Sequence, residues 1–210
     1  MSEHDRKVWT VTDVTDVFGP SAILRSYIEQ RDVRRYLQRA AAVAPIACAV
    51  DVGCGYGRLT PVLTELAPRV IGCEREASLL ALARPLQPNV TFIETATLQQ
   101  LPVDTGAADF VMAFTVLQHM NDAAAIAVIA EIRRIVRMGG FVLLCEETDT
   151  SLEAGDAERA DLGYTRGRSV EWYAAQMSGF RLQTTSVREI EPGYPRPDVG
   201  TYMFFTRTSR

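Results

Sequence analysis

The chain is poor in histidine, tryptophan and cysteine, with two, two and four in 210 residues, and it has no basic excess: 22 Lys+Arg against 26 Asp+Glu give a formal charge of −4. Each shortage excludes something. The acidic balance argues against a polyanionic partner, because nucleic-acid binding shows itself as a basic patch or a high isoelectric point. No stretch approaches the ~18 apolar residues that a membrane-spanning helix needs. The charged start Met1-Ser2-Glu3-His4-Asp5-Arg6-Lys7 runs into no apolar segment of the export type. The expectation is a cytoplasmic protein without a membrane or nucleic-acid partner. The cysteines contain no Cys-x-x-Cys pair and no nearby histidine completes a zinc set. Cys48, Cys73 and Cys145 fall in apolar runs and read as small core residues.

What the chain does have is an alternation of apolar and amphipathic segments, over a length sufficient for a good core without disulfides. Ile23, Leu24, Tyr27, Ile28, Val33, Tyr36 and Leu37 predict helix from about 21 to 44, broken near Asp32. Strands are predicted at 47–52, 69–74, 90–94, 108–114 and 141–146; the first, fourth and fifth are nearly continuous in apolar residues, as parallel strands covered on both faces are. Between the last two, Asp122 is expected to cap a helix running to about Arg137, with Gly139-Gly140 ending it. This is the βαβ alternation of an open parallel α/β sheet. After a short helix at 169–177, extended runs at 180–190 and 200–208 flank the turn-rich Pro192-Gly193-Tyr194-Pro195-Arg196-Pro197, which suggests a hairpin.

The most informative segment is Asp51-Val52-Gly53-Cys54-Gly55-Tyr56-Gly57, placed directly after the first strand. Glycines at alternate positions let the backbone turn sharply between strand and helix and bring main chain against a ligand that any Cβ would exclude. Dinucleotide-binding folds use Gly-x-Gly-x-x-Gly, with an acid about 20 residues later. Here the third glycine comes one residue early. Asp51, two residues before the first glycine, would repel phosphates and attract a cation, so a ligand with an α-amino group fits better. A second strand, Arg69-Val70-Ile71-Gly72-Cys73-Glu74, ends in a further acid.

In these residues the chain resembles the class I S-adenosylmethionine (SAM)-dependent methyltransferases, small-molecule branch, over roughly 45–208. The resemblance implies a single-domain Rossmann-like open sheet of about seven strands, mostly parallel with an antiparallel C-terminal strand inserted beside strand five, and helices on both faces. It divides the chain into a helical lid segment, 1–44, and a SAM-binding domain, 45–210. S-adenosyl-L-methionine is then the cofactor. Asp51, Gly53, Cys54, Gly55 and Gly57 line the methionine half of its pocket, and Glu74 stands where the family's ribose-binding carboxylate stands. In many relatives Asp-Ala-x-x-Leu-Pro reads the adenine. Here the run is Thr97-Leu98-Gln99-Gln100-Leu101-Pro102, so Thr97 replaces the acid, Leu98 supplies a backbone contact, and Thr95 is the contact in an alternative register.

Phe114-Thr115-Val116-Leu117-Gln118-His119-Met120 follows the fourth strand, whose end converges on the ligand crevice of such a sheet, so Phe114 should adjoin the methyl donor. DNA and RNA amino-methyltransferases carry Asn/Asp-Pro-Pro-aromatic here, and this chain does not. His119 is the candidate general base, since an alcohol or ammonium acceptor must lose a proton to expose a lone pair; the competing role is packing against the adenosine. Glu146, Glu147 and the acids to Asp161 read either as a surface for a cationic amine or as a solvated loop, and Arg166 and Arg168 as a grip for an anion. No metal is expected, because the carboxylate set of the metal-dependent relatives is incomplete. The reading is methyl transfer to an O or N atom of a small molecule, with the oligomeric state open. The alternatives are a nucleotide-cofactor oxidoreductase, against which the glycine spacing and the terminal hairpin weigh, and a catalytically inactive SAM-binding partner subunit.

Overall fold

The computed structural model describes residues 22–152, 165–191, 194–195 and 200–208. His4, Trp9, Phe18, the acids between 153 and 161 and most of the proline-rich joint lie outside the described residues. One seven-stranded sheet organises the rest. Its strands are β1 (Cys48–Val52), β2 (Arg69–Glu74), β3 (Thr91–Glu94), β4 (Ala108–Phe114), β5 (Val136–Glu146), β6 (Phe180–Val187) and β9 (Thr201–Arg207), in the order β3-β2-β1-β4-β5-β9-β6. β1 to β5 pair in parallel, and β9 runs against both of its neighbours, β5 and β6. The predicted hairpin is therefore present. β7 (Glu189–Glu191) and β8 (Tyr194–Pro195) form a small antiparallel ribbon in its connection.

Period-two alternation sends side chains of each strand to opposite faces. On β4, Phe110, Met112 and Phe114 join the core beneath α1 (Ala22–Ala41) and α2 (Thr60–Leu63). Val111 and Ala113 join the core beneath α4 (Asp122–Ile135) and α5 (Val170–Gln176). The third helix, α3 (Ala77–Leu86), packs through Leu80 and Ala83 on Phe92 and Cys54. Strand order reverses between β1 and β4, and at such a switch point the segments leaving the two strands diverge and open a crevice. The glycine turn leaves β1 and the 115–120 turn leaves β4, so the fold brings together the two runs that carry the sequence signal.

Several boundaries differ from expectation for local reasons. The first helix is continuous through Asp32, whose carboxylate is engaged by Arg31 at 2.8 Å and Arg35 at 3.7 Å on its own helix surface instead of competing for main-chain N–H groups. Asn121, not Asp122, caps α4, its side chain accepting from the Ala124 N–H. That helix stops at Ile135, two residues early, because Val136 is already paired with Ala108 and begins β5. The Gly139-Gly140 pair lies within that strand.

Candidate functional site

The glycine turn uses all three of its glycines in the left-handed region, with φ of 70° at Gly53, 56° at Gly55 and 79° at Gly57. Their surroundings differ. A Cβ on Gly53 would come within 2.6 Å of Val116 Cγ2, so this glycine permits direct contact between the two turns. A Cβ on Gly57 would meet Gln87 Nε2 at 2.4 Å, and the same amide donates to the Gly57 carbonyl at 2.8 Å. At Gly55 a Cβ would meet nothing within 4 Å. Gly55 therefore presents bare backbone to open space. Cys54 belongs to the turn through its main chain, its N–H donating to the Cys73 carbonyl at 3.1 Å, while its side chain packs with Leu80, Ala83 and Phe92. Burial pushes that thiol up out of its reactive range.

Two carboxylates bracket the turn. Glu74 Oε2 accepts from the Gly55 N–H at 2.9 Å, and Oε1 accepts from the N–H groups of Arg75 at 2.6 Å and Glu76 at 3.0 Å. A carboxylate has about four acceptor positions, so one remains, on the oxygen beside Gly55. Asp51 is 3 % exposed and lies beneath the turn, accepting from the Thr60 hydroxyl at 2.7 Å. Burial raises its pKa to about 7, with the Glu74 charge adding to the effect. Two acids in this position make the turn hostile to phosphate.

Thr95, Thr97 and Leu98, expected from sequence on the adenine side, are tied into a tight loop after β3. The Thr97 hydroxyl accepts from the Gln99 N–H at 3.1 Å, and the Thr95 hydroxyl donates to the Thr97 carbonyl at 2.8 Å. Leu98 is buried. The loop is anchored to the end of β2, because the Thr95 N–H donates to the Glu74 carbonyl at 2.9 Å.

The second turn is built quite differently. Thr115 is the one non-glycine residue among the described residues with positive φ, at 54°, a conformation that costs a β-branched residue on the order of 1–3 kcal/mol. Its N–H is held by the Cys145 carbonyl at 2.7 Å. The fully buried Glu146 then accepts from the N–H groups of Val116 at 3.1 Å and Gln118 at 3.0 Å. Arg168 takes the opposite pole, donating to the Leu117 carbonyl at 2.9 Å and to the Met120 carbonyl, with its Nε on Asp122 at 2.9 Å. An anion gathers the turn's donors and a cation its acceptors. Neither reading of these side chains from sequence survives: Glu146 and Glu147 are 0 % and 2 % exposed, Arg168 is 3 % exposed, and Glu146 and Arg168 hold the turn.

His119 ends the 3-10 turn Leu117–His119. Its Nε2 lies 3.4 Å from the Gln118 amide nitrogen and its Nδ1 lies 3.4 Å from the Thr165 hydroxyl. Because the Gln118 carbonyl oxygen accepts from the Glu147 N–H at 2.9 Å, the amide's orientation is fixed and its NH₂ faces the ring. Nε2 must then be the acceptor, which leaves the proton on Nδ1, toward Thr165. Phe114 is 8 % exposed, with the guanidinium groups of Arg188 and Arg58 over its ring at 4.9 and 5.8 Å. Among the described residues no group of three or more His, Cys, Asp or Glu is placed to hold a metal ion. No described helix is long and apolar enough to cross a membrane.

A mostly parallel sheet with a glycine cradle at its switch point, flanked by acids, defines a class: a Rossmann-like domain. Comparison with known proteins shows what the chain is similar to. Residues 50–144 match the family model described as Methyltransferase domain. A probable S-adenosylmethionine-dependent methyltransferase of Mycolicibacterium smegmatis is 32 % identical over 142 residues, covering 65 % of this chain and 52 % of that protein. Among solved structures, a chain in the complex between the Haloferax volcanii Trm112 methyltransferase activator and a methyltransferase aligns with a TM-score of 0.68 at 16 % identity, over 97 % of this chain and 100 % of that one. The N-methyltransferase NodS of Bradyrhizobium japonicum, crystallised with S-adenosyl-L-homocysteine, aligns with a TM-score of 0.66 at 13 % identity, over 90 % and 89 % of the two chains. The chain thus shares its fold, and over residues 50–144 its family model, with SAM-dependent methyltransferases. It spans about half the length of the curated relatives it matches.

Two supporting residues were not singled out from the sequence, and two more were singled out for other roles. Thr60, under Asp51, at the start of α2, and Gln87, against Gly57, just after α3, are unremarked until the fold places them. The Glu146 and Arg168 clamp joins residues 28 and 51 positions from the turn they hold.

Proposed function

We propose that the protein transfers the methyl group of S-adenosyl-L-methionine to an oxygen or nitrogen atom of a small molecule. The observation that carries this reading is the bare backbone at Gly55, facing open space with Glu74 bonded to its N–H. The donor supplies an electrophilic methyl on a sulfonium, and the chain's residues do the rest. Gly53, Gly55 and Gly57 let main chain approach the methionine end, over the Asp51 carboxyl. The remaining acceptor position of Glu74 takes a ribose hydroxyl. Thr97 and the Leu98 N–H face the adenine, and Phe114 closes the pocket from β4. Of the lid segment, the described helix α1 packs on the sheet through Val33, Leu37 and Ala40. Orienting donor and acceptor in line is worth up to about 7–11 kcal/mol of barrier, so proton removal is secondary.

His119 is the general base in this proposal. With the proton on Nδ1 the basic lone pair is that of Nε2, which the Gln118 amide faces at 3.4 Å and must release as the acceptor's proton arrives. A small acceptor without nucleic acid agrees with the acidic balance of the chain. A cytoplasmic location agrees with four cysteines that are all free, since disulfides are the habit of oxidising compartments. Calorimetric titration with S-adenosylhomocysteine, NADH and NADPH tests the cofactor, and binding of a nicotinamide nucleotide alone would sink the reading. Transfer of labelled methyl to a metabolite pool tests the acceptor. The fold neighbour found with an activator protein supports a second reading, a SAM-binding subunit that works through a partner. Tight S-adenosylhomocysteine binding with no labelled metabolite would favour it.

A further inference from the structure

Glu29 is a fully buried carboxylate in the middle of α1, distant in sequence from every motif. Its surroundings come from three separate parts of the chain. Oε2 accepts from Arg58, the residue directly after the last glycine of the cofactor turn. Oε1 accepts from Arg25 at 3.0 Å, one helical turn earlier, and from Arg188 in the segment between β6 and β7. Arg188 is itself 2 % exposed, and its main-chain N–H donates to the Gly200 carbonyl at 2.9 Å, just before β9. The neighbouring Gln30 reaches the same target as Glu29 by another route, its amide donating to the Arg58 carbonyl at 3.3 Å. Helix α1 thus holds Arg58 at its side chain and at its main chain.

The same two guanidinium groups lie over the ring of Phe114, the last residue of β4 and the entry to the second turn. One carboxylate therefore connects the exit of the glycine turn with the end of β4. A packing role alone would not require this arrangement. Val33, Leu37 and Ala40, all fully buried, already fix the C-terminal half of α1 on the sheet. The Arg58 side chain is also 17 % exposed, so the hub reaches the mouth of the cofactor turn.

We propose that Glu29 is a positioning residue for donor binding: through Arg58 and Arg188 it fixes the exit of the glycine turn against Phe114. Gln30 is its weaker second point of attachment. The role rests on the reading of the glycine turn as the donor site. Removing the Glu29 charge alone leaves buried guanidinium groups without it, a change that can prevent folding. The principal variant is therefore the double substitution Glu29→Gln with Arg188→Met, which removes one charge of each sign. Gln30→Ala is the milder variant, and Leu37→Ala the control, since it weakens α1 packing far from the hub.

Titrating the ligand-free proteins with S-adenosylhomocysteine, the double variant is expected to lose tenfold or more in affinity and Gln30→Ala about threefold. Leu37→Ala should lower the melting temperature and leave the affinity within twofold of the parent. Hydrogen exchange of peptides spanning 51–63 should accelerate in the double variant and not in Leu37→Ala. Parental affinity in the double variant overturns the proposal while leaving the donor site intact. So does a loss of affinity that tracks the loss of melting temperature equally in all three variants. Failure of the parent protein to bind S-adenosylhomocysteine overturns the donor site and this role together.

Discussion

The two turns that touch at Gly53 and Val116 are made by opposite means. The first is coded on the spot: three left-handed glycines shape it, and its acids sit two residues before it and at the end of the adjoining strand. The second has no glycine. A strained threonine begins it, and its shape is imposed by Glu146 from β5 and Arg168 from the segment before α5. A backbone-coded cradle accepts one ligand shape and varies little in chemistry. A turn held by remote side chains can carry any residue on its exposed positions, which suits the part of a pocket that faces the acceptor.

The largest test of this contrast is His119→Ala. If the second turn does the proton chemistry, turnover should fall by about 10²–10⁴-fold, the usual worth of a positioned base, with S-adenosylhomocysteine affinity unchanged by calorimetry. A loss of donor affinity instead assigns the ring a packing role and blurs the division between the turns. Next comes Glu146→Gln. An amide offers one acceptor oxygen and turns donors toward N–H groups, so at least one main-chain N–H is left unpaired, at about 1–3 kcal/mol by chemical denaturation. Hydrogen exchange should rise at 115–120 and stay constant at 51–57.

Gly55→Ala works on the other side of the comparison. With φ of 56° an alanine is strained, costing about 1–2 kcal/mol of stability. The methyl enters open space, so the protein should fold and lose donor affinity. An unchanged dissociation constant for S-adenosylhomocysteine would mean that Gly55 does not face the donor. The smallest effect is in pH dependence. Asp51 and Glu146, one per turn, are each raised by burial to a pKa of about 7. The stability this contributes is complete below about pH 4 and is lost as pH rises through 7, with a slope of at most about 1.4 kcal/mol per unit for each group. Glu29 behaves oppositely: its pKa is about 2, because the pull of Arg188, Arg58 and Arg25 outweighs burial, the largest single influence, which acts upward. Its contribution holds above 4.5 and is lost as pH falls toward 2. Melting curves of Asp51→Asn between pH 5 and 7.5 should be flatter than the parent's.

Which parts of this were legible in the sequence follows from the same contrast. Strands with continuous apolar runs, such as β1 and β4, were placed within a residue, because period and composition act locally. The helix boundaries near Asp32 and after Ile135 were not. Asp32 looks like a breaker until Arg31 and Arg35 are seen to occupy its carboxylate, and Val136 looks helical until Ala108 pairs with it. Glu146 and Glu147 read as the start of an acidic loop, since nothing in a one-dimensional pattern announces that a turn 28 residues upstream needs an acceptor.

By itself the sequence determined the glycine turn, the acids on either side of it and the α/β order that sets them at a sheet edge. These depend on steric permission at single residues and on short-range periodicity, both of which are properties of the local chain. Only the tertiary structure decided that Glu74 keeps one acceptor position, that Asp51 is buried beneath the cradle, that Glu29 gathers three arginines, and that Glu146 and Arg168 hold the second turn. A buried charge acquires its role from the partners folding brings to it, and those partners are far away along the chain.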